Sequence, residues 1–297
     1  MQQRRRNRKR YLRRRRQKRL AALVLIAVVG LVVYACLHKS EPEPETPVTD
    51  TTPPATTQAP TEPEPVLQVF AREHGLTLDQ WPIELIEQMQ INPEIEEFVL
   101  NYPLKKDASP HIDLSEHLHS DKVPMLWQWD ERWGYLEYSN NLMGMSGCGP
   151  TCLSMVCLYL LDDPTYTPKY IAEFAKENGY VSKGHGSAWT LISKGGEKLG
   201  LEITEIALVK KRIANNLEAG NPIICIMGPG LFTTSSHYIV LTEYADGFVK
   251  VNDPYSPSKS AQQWNLDEIM PQIRNLWVCS VPAAQNGETE GTVPSAQ

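Results

Sequence analysis

A cysteine between two glycines stands at the head of an apolar run: Ser146-Gly147-Cys148-Gly149-Pro150-Thr151, then Cys152-Leu153-Ser154-Met155-Val156-Cys157-Leu158-Tyr159-Leu160. Pro150 suits a first helical turn, where its missing N–H has no partner to lose. Leu153, Val156, Cys157 and Leu160 recur at helical spacing, which predicts a helix buried on that face. Cys148 then sits at a helix N-terminus, where unpaired N–H groups and the macrodipole favour an anion. A thiol held there loses its proton early, and the thiolate is the nucleophile. Read alone, Cys148 fits a small buried hydrophobe just as well, so residues far downstream must decide.

Two alternating runs, His237–Tyr244 and Phe248–Asp253, flank Ala245-Asp246-Gly247 and read as a hairpin. His237 opens one strand and Asp253 closes the other. A three-residue loop with Gly247 left-handed sets Ile239 opposite Asp253, with His237 one step further on the same face. A two-residue loop pairs Val240 with Asp253 and turns the face away, unless a bulge corrects it. The first register supplies the base and orienter of a Cys-His-Asp arrangement: the histidine takes the thiol proton and the carboxylate holds the ring. Taken singly, His237 fits a capped edge histidine and Asp253 a turn former in Asn252-Asp253-Pro254-Tyr255. His185, in Gly184-His185-Gly186-Ser187, ranks below His237 as a base, because no strand and no carboxylate follow it.

The elements that must position these residues follow an α+β order, helices first and an antiparallel sheet second. After the Cys148 helix, Thr167-Pro168 caps a helix over roughly 168–178. Ala188–Leu199 reads as a helix closed by Gly200, Leu201–Ile206 as a strand, and 210–219 as a further helix. Ile223–Met227 is a continuous apolar run, a helix lies near 266–273, and Leu276–Val281 is the last strand. Gly184-His185-Gly186-Ser187 and Gly228-Pro229-Gly230 are expected at the rims of a cleft. Trp127, Trp129 and Trp133 lie within seven residues and are expected as core anchors or as a substrate-binding wall. Upstream, 66–121 reads as a helical lead-in. One helix carries Ile83, Leu85, Ile86 and Met89; a second, capped by Asn92 with Pro93 in its first turn, gives way at Tyr102-Pro103.

Charge is polarised along the 297 residues, although the net is only −6. Residues 1–19 hold 12 Lys/Arg and no acid, whereas the other 17 Lys/Arg face all 35 Asp/Glu, a net of −18. Leu20 to Leu37 is uncharged, and its 18 residues span about 27 Å as a helix, the thickness of a bilayer core. Basic residues stay on the cytoplasmic side, so 1–19 is expected inside and the rest outside. An uncleaved signal anchor is favoured over lipidation at Cys36, because Tyr34 fits a lipoprotein box poorly. The basic tail thereby reads as a topology signal, with no nucleic-acid partner. Residues 38–65 are rich in Pro, Thr and Glu, cannot bury a core, and read as a stalk. Residues 282–297 read as a frayed tail. Cys152, Cys157, Cys225 and Cys279 fall in apolar runs, without the spacing of a disulfide framework or a zinc site. His111, His117 and His119 are read as exposed link residues. No metal and no cofactor is expected.

Gln128 with Trp129-Asp130-Glu131-Arg132-Trp133-Gly134, Ser146–Thr151, Ser236–Leu241 and Val251–Pro254 together resemble the papain-fold cysteine peptidases of the bacteriocin-processing, double-glycine-peptidase-like family. The resemblance covers about 122–280. It implies a papain-like fold in which a Cys-bearing helix packs on an antiparallel sheet bearing His and Asp. It implies Cys148 as nucleophile, His237 as base, Asp253 as orienter and a glutamine in the oxyanion hole. In transporter-linked members that glutamine lies a few residues before the cysteine. Here Leu142 and Met143 occupy that stretch, and the candidate is Gln128, twenty residues back. Membrane-anchored members of this type are usual in Gram-positive bacteria. The expected activity is a membrane-anchored, extracytoplasmic thiol hydrolase that cleaves a peptide or a cell-wall-linked amide through a Cys148 thioester. A wall amidase or acyltransferase with the same residues, and a non-catalytic binding module with its tryptophans as contact surface, are the alternatives.

Overall fold

A computed structural model of the chain describes residues 65–182 and 186–282. The basic tail, the apolar span, the linker through residue 64, His185 and residues 283–297 lie outside the described residues. Among the described residues no helix is long and apolar enough to cross a membrane.

The lead-in is three helices, α1 (Val66–Glu73), α2 (Ile83–Ile91) and α3 (Glu96–Lys105). Asn92 caps the 3-10 turn Pro93–Ile95 that leads into α3, rather than α3 itself, its side chain accepting from the Glu94 N–H at 3.1 Å. The sequence carried no cap signal for α1, because Pro65 before it offers no side-chain oxygen. Helix α3 does not give way at Tyr102-Pro103; it runs on to Lys105 with Pro103 inside. Proline removes the N–H that would have met the Val99 carbonyl. The indole N–H of Trp81 takes its place, donating to that carbonyl at 2.7 Å.

A small hairpin, β1 (Glu137–Tyr138) and β2 (Asn141–Leu142), and a helical turn over Met143–Ser146 lead into α4 (Cys148–Leu161). The sequence suggested one apolar face for this helix, but it is buried on all sides from Gly149 to Leu158. Helix α5 (Pro168–Glu177) packs on it, capped by Thr167, whose hydroxyl accepts from the Tyr170 N–H at 3.1 Å. The ordinary helix expected over 188–199 is instead a π-helical stretch, Leu191–Gly195, running into Gly196–Lys198. The wide turn falls at Gly195-Gly196, where the backbone is least restrained.

The rest is β3 (Glu202–Glu205), α6 (Lys210–Glu218), β4 (Ile223–Met227), β5 (His237–Ala245), β6 (Phe248–Asn252), α7 (Pro257–Ser260), β7 (Gln263–Asn265), α8 (Leu266–Ile269) and β8 (Ile273–Ser280). The six strands form one antiparallel sheet in the order β3-β8-β4-β5-β6-β7. Strand β4 is apolar throughout because both its faces are covered. Ile224 and Ile226 face the core around α4, and Ile223, Cys225 and Met227 face the core that takes in Ile213 and Leu217 of α6.

The β5–β6 hairpin corrects the expected loop. The turn has two residues, Asp246 at φ 51° and Gly247 at φ 92°, and pairs Ala245 with Phe248. Both positive φ values suit the mirror-image turn that matches strand twist. Left alone, that register would pair Val240 with Asp253. A bulge at Thr242 absorbs one residue, so Glu243 pairs with Lys250 but Leu241 with Val251 and Val240 with Asn252. The shift carries Asp253 into line with Ile239 and onto the face of His237.

Candidate active site

The glycines beside Cys148 are there for space. A Cβ on Gly147 would lie 2.5 Å from the Met143 carbonyl oxygen, which already accepts the Gly147 N–H at 2.7 Å. A Cβ on Gly149 would lie 2.5 Å from the Ser187 hydroxyl. This crowding lets the turn over Met143–Ser146 close directly onto α4 and puts Cys148 in its first turn, half-buried, with free N–H groups around it.

Strand β5 packs across α4 and brings its first residue, His237, into the same cleft as Cys148. Its Nε2 donates to Asp253 Oδ1 at 2.7 Å, leaving Nδ1 as the ring nitrogen toward the thiol. Asp253 is buried at 1 % exposure. Its Oδ1 also accepts the Tyr255 N–H at 2.9 Å, and its own N–H donates to Ser260 Oγ at 2.9 Å. The carboxylate is thus fixed from its own strand end and from α7 before it meets the imidazole.

The electrostatics follow from this line of groups. Burial on its own would push the Cys148 thiol up. The hydrogen bond and charge of His237, joined by backbone hydrogen bonds at Tyr238 and Gly149, outweigh it and bring the thiol below its ordinary value. Burial on its own would push His237 down; the Asp253 carboxylate, by charge and hydrogen bond, and the Cys148 sulfur raise it to about 10. The pair therefore favours thiolate with imidazolium. Desolvation pushes Cys152, Cys157, Cys225 and Cys279 up instead. They are ordinary buried thiols.

Gln128, the glutamine suggested by resemblance, is buried and lines the same cleft as Cys148 and His237. Its backbone N–H donates to the Pro254 carbonyl at 2.8 Å, and its amide Nε2 donates to the Gly144 carbonyl at 2.8 Å. An amide nitrogen carries two hydrogens. One is used on Gly144, which leaves the other for an oxygen in the cleft. The twenty-residue gap in sequence is spanned by the β1–β2 hairpin.

The cleft holds about 1030 Å³. Gly186, Ser187 and Gly230 line it, as expected of rim loops, and so do Gln88, Ile91 and Glu94 of the lead-in. The tryptophan cluster proves to be an anchor rather than a substrate wall. Trp133 is buried and donates to the Trp127 carbonyl at 2.9 Å, Trp129 donates to the Tyr255 carbonyl at 3.0 Å, and the Trp127 and Trp129 rings stack at 5.5 Å. The tryptophan that does line the cleft is Trp189, 48 % exposed. His119 pairs with Asp162 at 2.5 Å and His117 lies 3.6 Å from Glu116, both away from this site. Among the described residues no group of three or more His, Cys, Asp or Glu could hold a metal ion. Sequence reasoning missed Glu94, Tyr255, Ser256 and Ser260, whose contacts join segments that no local spacing connects.

Residues 120–281, just over half the chain, match the model of the Peptidase_C39 like family. The chain belongs to that family. Its C39-like domain is a cysteine peptidase domain. No curated protein matches the chain. Among solved structures, the peptidase domain of Streptococcus ComA, a bifunctional ABC transporter involved in a quorum-sensing pathway, is 19 % identical, with a TM-score of 0.38 over 46 % of this chain and 93 % of that one. A putative C39-like peptidase from Bacillus anthracis is 15 % identical, with a TM-score of 0.37 over 58 % of this chain and 98 % of its own. A double glycine motif protease from an AMS/PCAT transporter, solved with its leader peptide, is 18 % identical, with a TM-score of 0.36 over 56 % and 97 %.

Proposed function

We propose that this C39-like domain hydrolyses a peptide amide bond with Cys148 as nucleophile, His237 as acid and base, and Asp253 as orienter, on the outer side of a membrane that the chain itself spans. The observation that carries the chemistry is the Asp253–His237–Cys148 line, with Cys148 lowered by His237 while the other described thiols are raised by burial. The thiolate attacks the substrate carbonyl carbon. The oxyanion forms against the Cys148 N–H and the Gln128 amide. His237 then gives its proton to the departing amine, which leaves a thioester on Cys148. Water attacks that thioester, His237 takes the water's proton, and the thiolate is expelled as the carboxylic acid leaves.

The membrane placement rests on the sequence: 12 basic residues in 1–19, an uncharged span over 20–37, and a Pro/Thr/Glu-rich linker after it. It makes the substrate an extracytoplasmic peptide or a peptide linked to the cell wall, in a Gram-positive envelope. The test is iodoacetamide labelling of the full-length chain in detergent, followed site by site by mass spectrometry across pH, with His237→Ala beside it. Cys148 labels near pH 6 ahead of every other cysteine, and His237→Ala moves its labelling toward the ~8.5 of a free thiol or above. A Cys148 that labels no faster than Cys152 and ignores His237→Ala defeats the proposal.

A further inference from the structure

The lead-in lies upstream of the residues that match the family, yet it reaches the end of the strand that carries the orienter. Glu94, half-buried at the cleft edge, accepts from Ser256 Oγ at 2.5 Å through one carboxylate oxygen and from the Ser258 N–H at 2.7 Å through the other. Asn92 Nδ2 donates to the Tyr255 carbonyl at 3.4 Å, and the Tyr255 hydroxyl donates to Gln88 Oε1 at 3.3 Å. All these contacts land on Tyr255, Ser256 and Ser258, within five residues of Asp253. Tyr255 in turn donates its N–H to Asp253 Oδ1, the atom that His237 Nε2 meets. The segment they grip continues only into α7, four residues long, so little else of its own secondary structure holds it.

We infer that Glu94 is a positioning residue: acting through Ser256, Ser258 and Tyr255, it fixes the Asp253 carboxylate against His237, which makes the lead-in part of the peptidase. A carboxylate holding a hydroxyl and an N–H at once makes two charge-assisted hydrogen bonds, the strong kind. Small misplacements of an orienting group cost large factors in rate. The inference rests on the reading of Cys148, His237 and Asp253 as the catalytic set. Besides Asp253, the titratable groups that face Cys148 and His237 are Tyr138, Tyr238, Tyr255 and Cys152. Burial raises all four, so they stay neutral near pH 6. A profile in that region reports the catalytic three.

The test compares the rate of Cys148 alkylation by iodoacetamide near pH 6 with the Tm, in the full-length chain. The set is wild type, Glu94→Gln, Glu94→Ala, Asp253→Ala, the Glu94→Ala/Asp253→Ala double variant and the exposed control Glu96→Gln, with rates taken well below each Tm. Glu94→Ala slows alkylation about tenfold, the scale of a lost hydrogen bond to a charged group, and moves the pH profile toward that of Asp253→Ala. Glu94→Gln still accepts the Ser258 N–H through Oε1 and recovers most of the rate; Glu96→Gln changes nothing. The double variant is no slower than Asp253→Ala alone, because both losses act at one carboxylate. A Glu94→Ala protein that loses Tm but alkylates within about twofold of wild type overturns the inference, as does a double variant in which the two losses multiply. A wild-type Cys148 no more reactive than a free thiol, and indifferent to His237→Ala, overturns the catalytic set and the inference with it.

Discussion

Two residues with opposed shifts set the pH behaviour of the site. The Cys148 thiol lies below its ordinary value because His237 faces it, and His237 lies at about 10 because Asp253 holds it. Below the thiol's lowered pKa both groups are protonated and no nucleophile exists. Between the two values thiolate and imidazolium coexist. As pH rises through about 10 the imidazolium discharges and the departing amine finds no acid. Peptide hydrolysis is therefore a bell in kcat/KM, and Asp253→Ala pulls its alkaline limb to lower pH; a pH–rate series on both proteins checks this. Gln128→Ala separates the oxyanion role from activation of the thiol. It lowers kcat by about 10²–10³, yet leaves iodoacetamide alkylation of Cys148 unchanged, because alkylation forms no oxyanion. Residue types made Cys148, His237 and Asp253 legible, since a helix start and two strand ends are local facts. Gln128 was reached through resemblance alone, and Glu94 was out of reach: its partners lie 162 and 164 residues away, and nothing in Asn92-Pro93-Glu94 beyond a helix cap announces them.

At the level of elements, the hairpin shows how alternation can give a face without giving a turn. The pattern of β5 and β6 placed His237 and Asp253 together through a three-residue loop. The chain reaches the same face through a two-residue turn and a bulge at Thr242. Pattern reports the face that burial demands; it is blind to where an extra residue is absorbed. The lead-in was legible as helices through its periodicity and its Asn92 cap, but its docking was not. Phe98 of α3 is the pivot of that docking. It stacks on Tyr135 at 4.5 Å and presses on Gly134 and Gly144, where added Cβ atoms would come within 2.7 and 2.5 Å of its ring. Gly144 is also the residue whose carbonyl anchors Gln128. Phe98→Ala therefore costs about 3–5 kcal/mol of stability by opening a cavity there. Gly144→Ala alone costs about 1–3 kcal/mol by overpacking against the ring. In the double variant the new methyl occupies space that Phe98 vacated, so the summed loss falls short of additivity. Denaturant unfolding of the four proteins measures the difference, and strict additivity would show that Phe98 does not bear on Gly144.

The whole chain is polarised in charge, basic over its first 19 residues and acidic after them. In the proposed orientation, twelve basic residues before an uncharged 18-residue span would hold the N-terminus on the cytoplasmic side, and the acidic remainder carries no comparable retention signal. A proline-rich segment of the composition of 41–65, if fully extended at about 3 Å per residue, would reach up to roughly 75 Å. On the proposed placement, substrate would then be met within the envelope rather than at the bilayer. In a Gram-positive host the full-length chain sediments with membranes, resists high salt and dissolves in detergent. Protease added to wall-free cells removes the 66–282 region while an N-terminal tag survives inside. Deleting 41–65 leaves the pH dependence of Cys148 alkylation in detergent unchanged, because Cys148, His237, Asp253 and the hydrogen bonds that hold them all lie downstream of it; in cells it lowers cleavage of wall-linked peptides while sparing peptides at the membrane surface. A tag digested from outside would reverse the orientation. Release of the chain by salt alone would remove the anchor, and a deletion that cuts both kinds of peptide equally would show that the linker does not set reach.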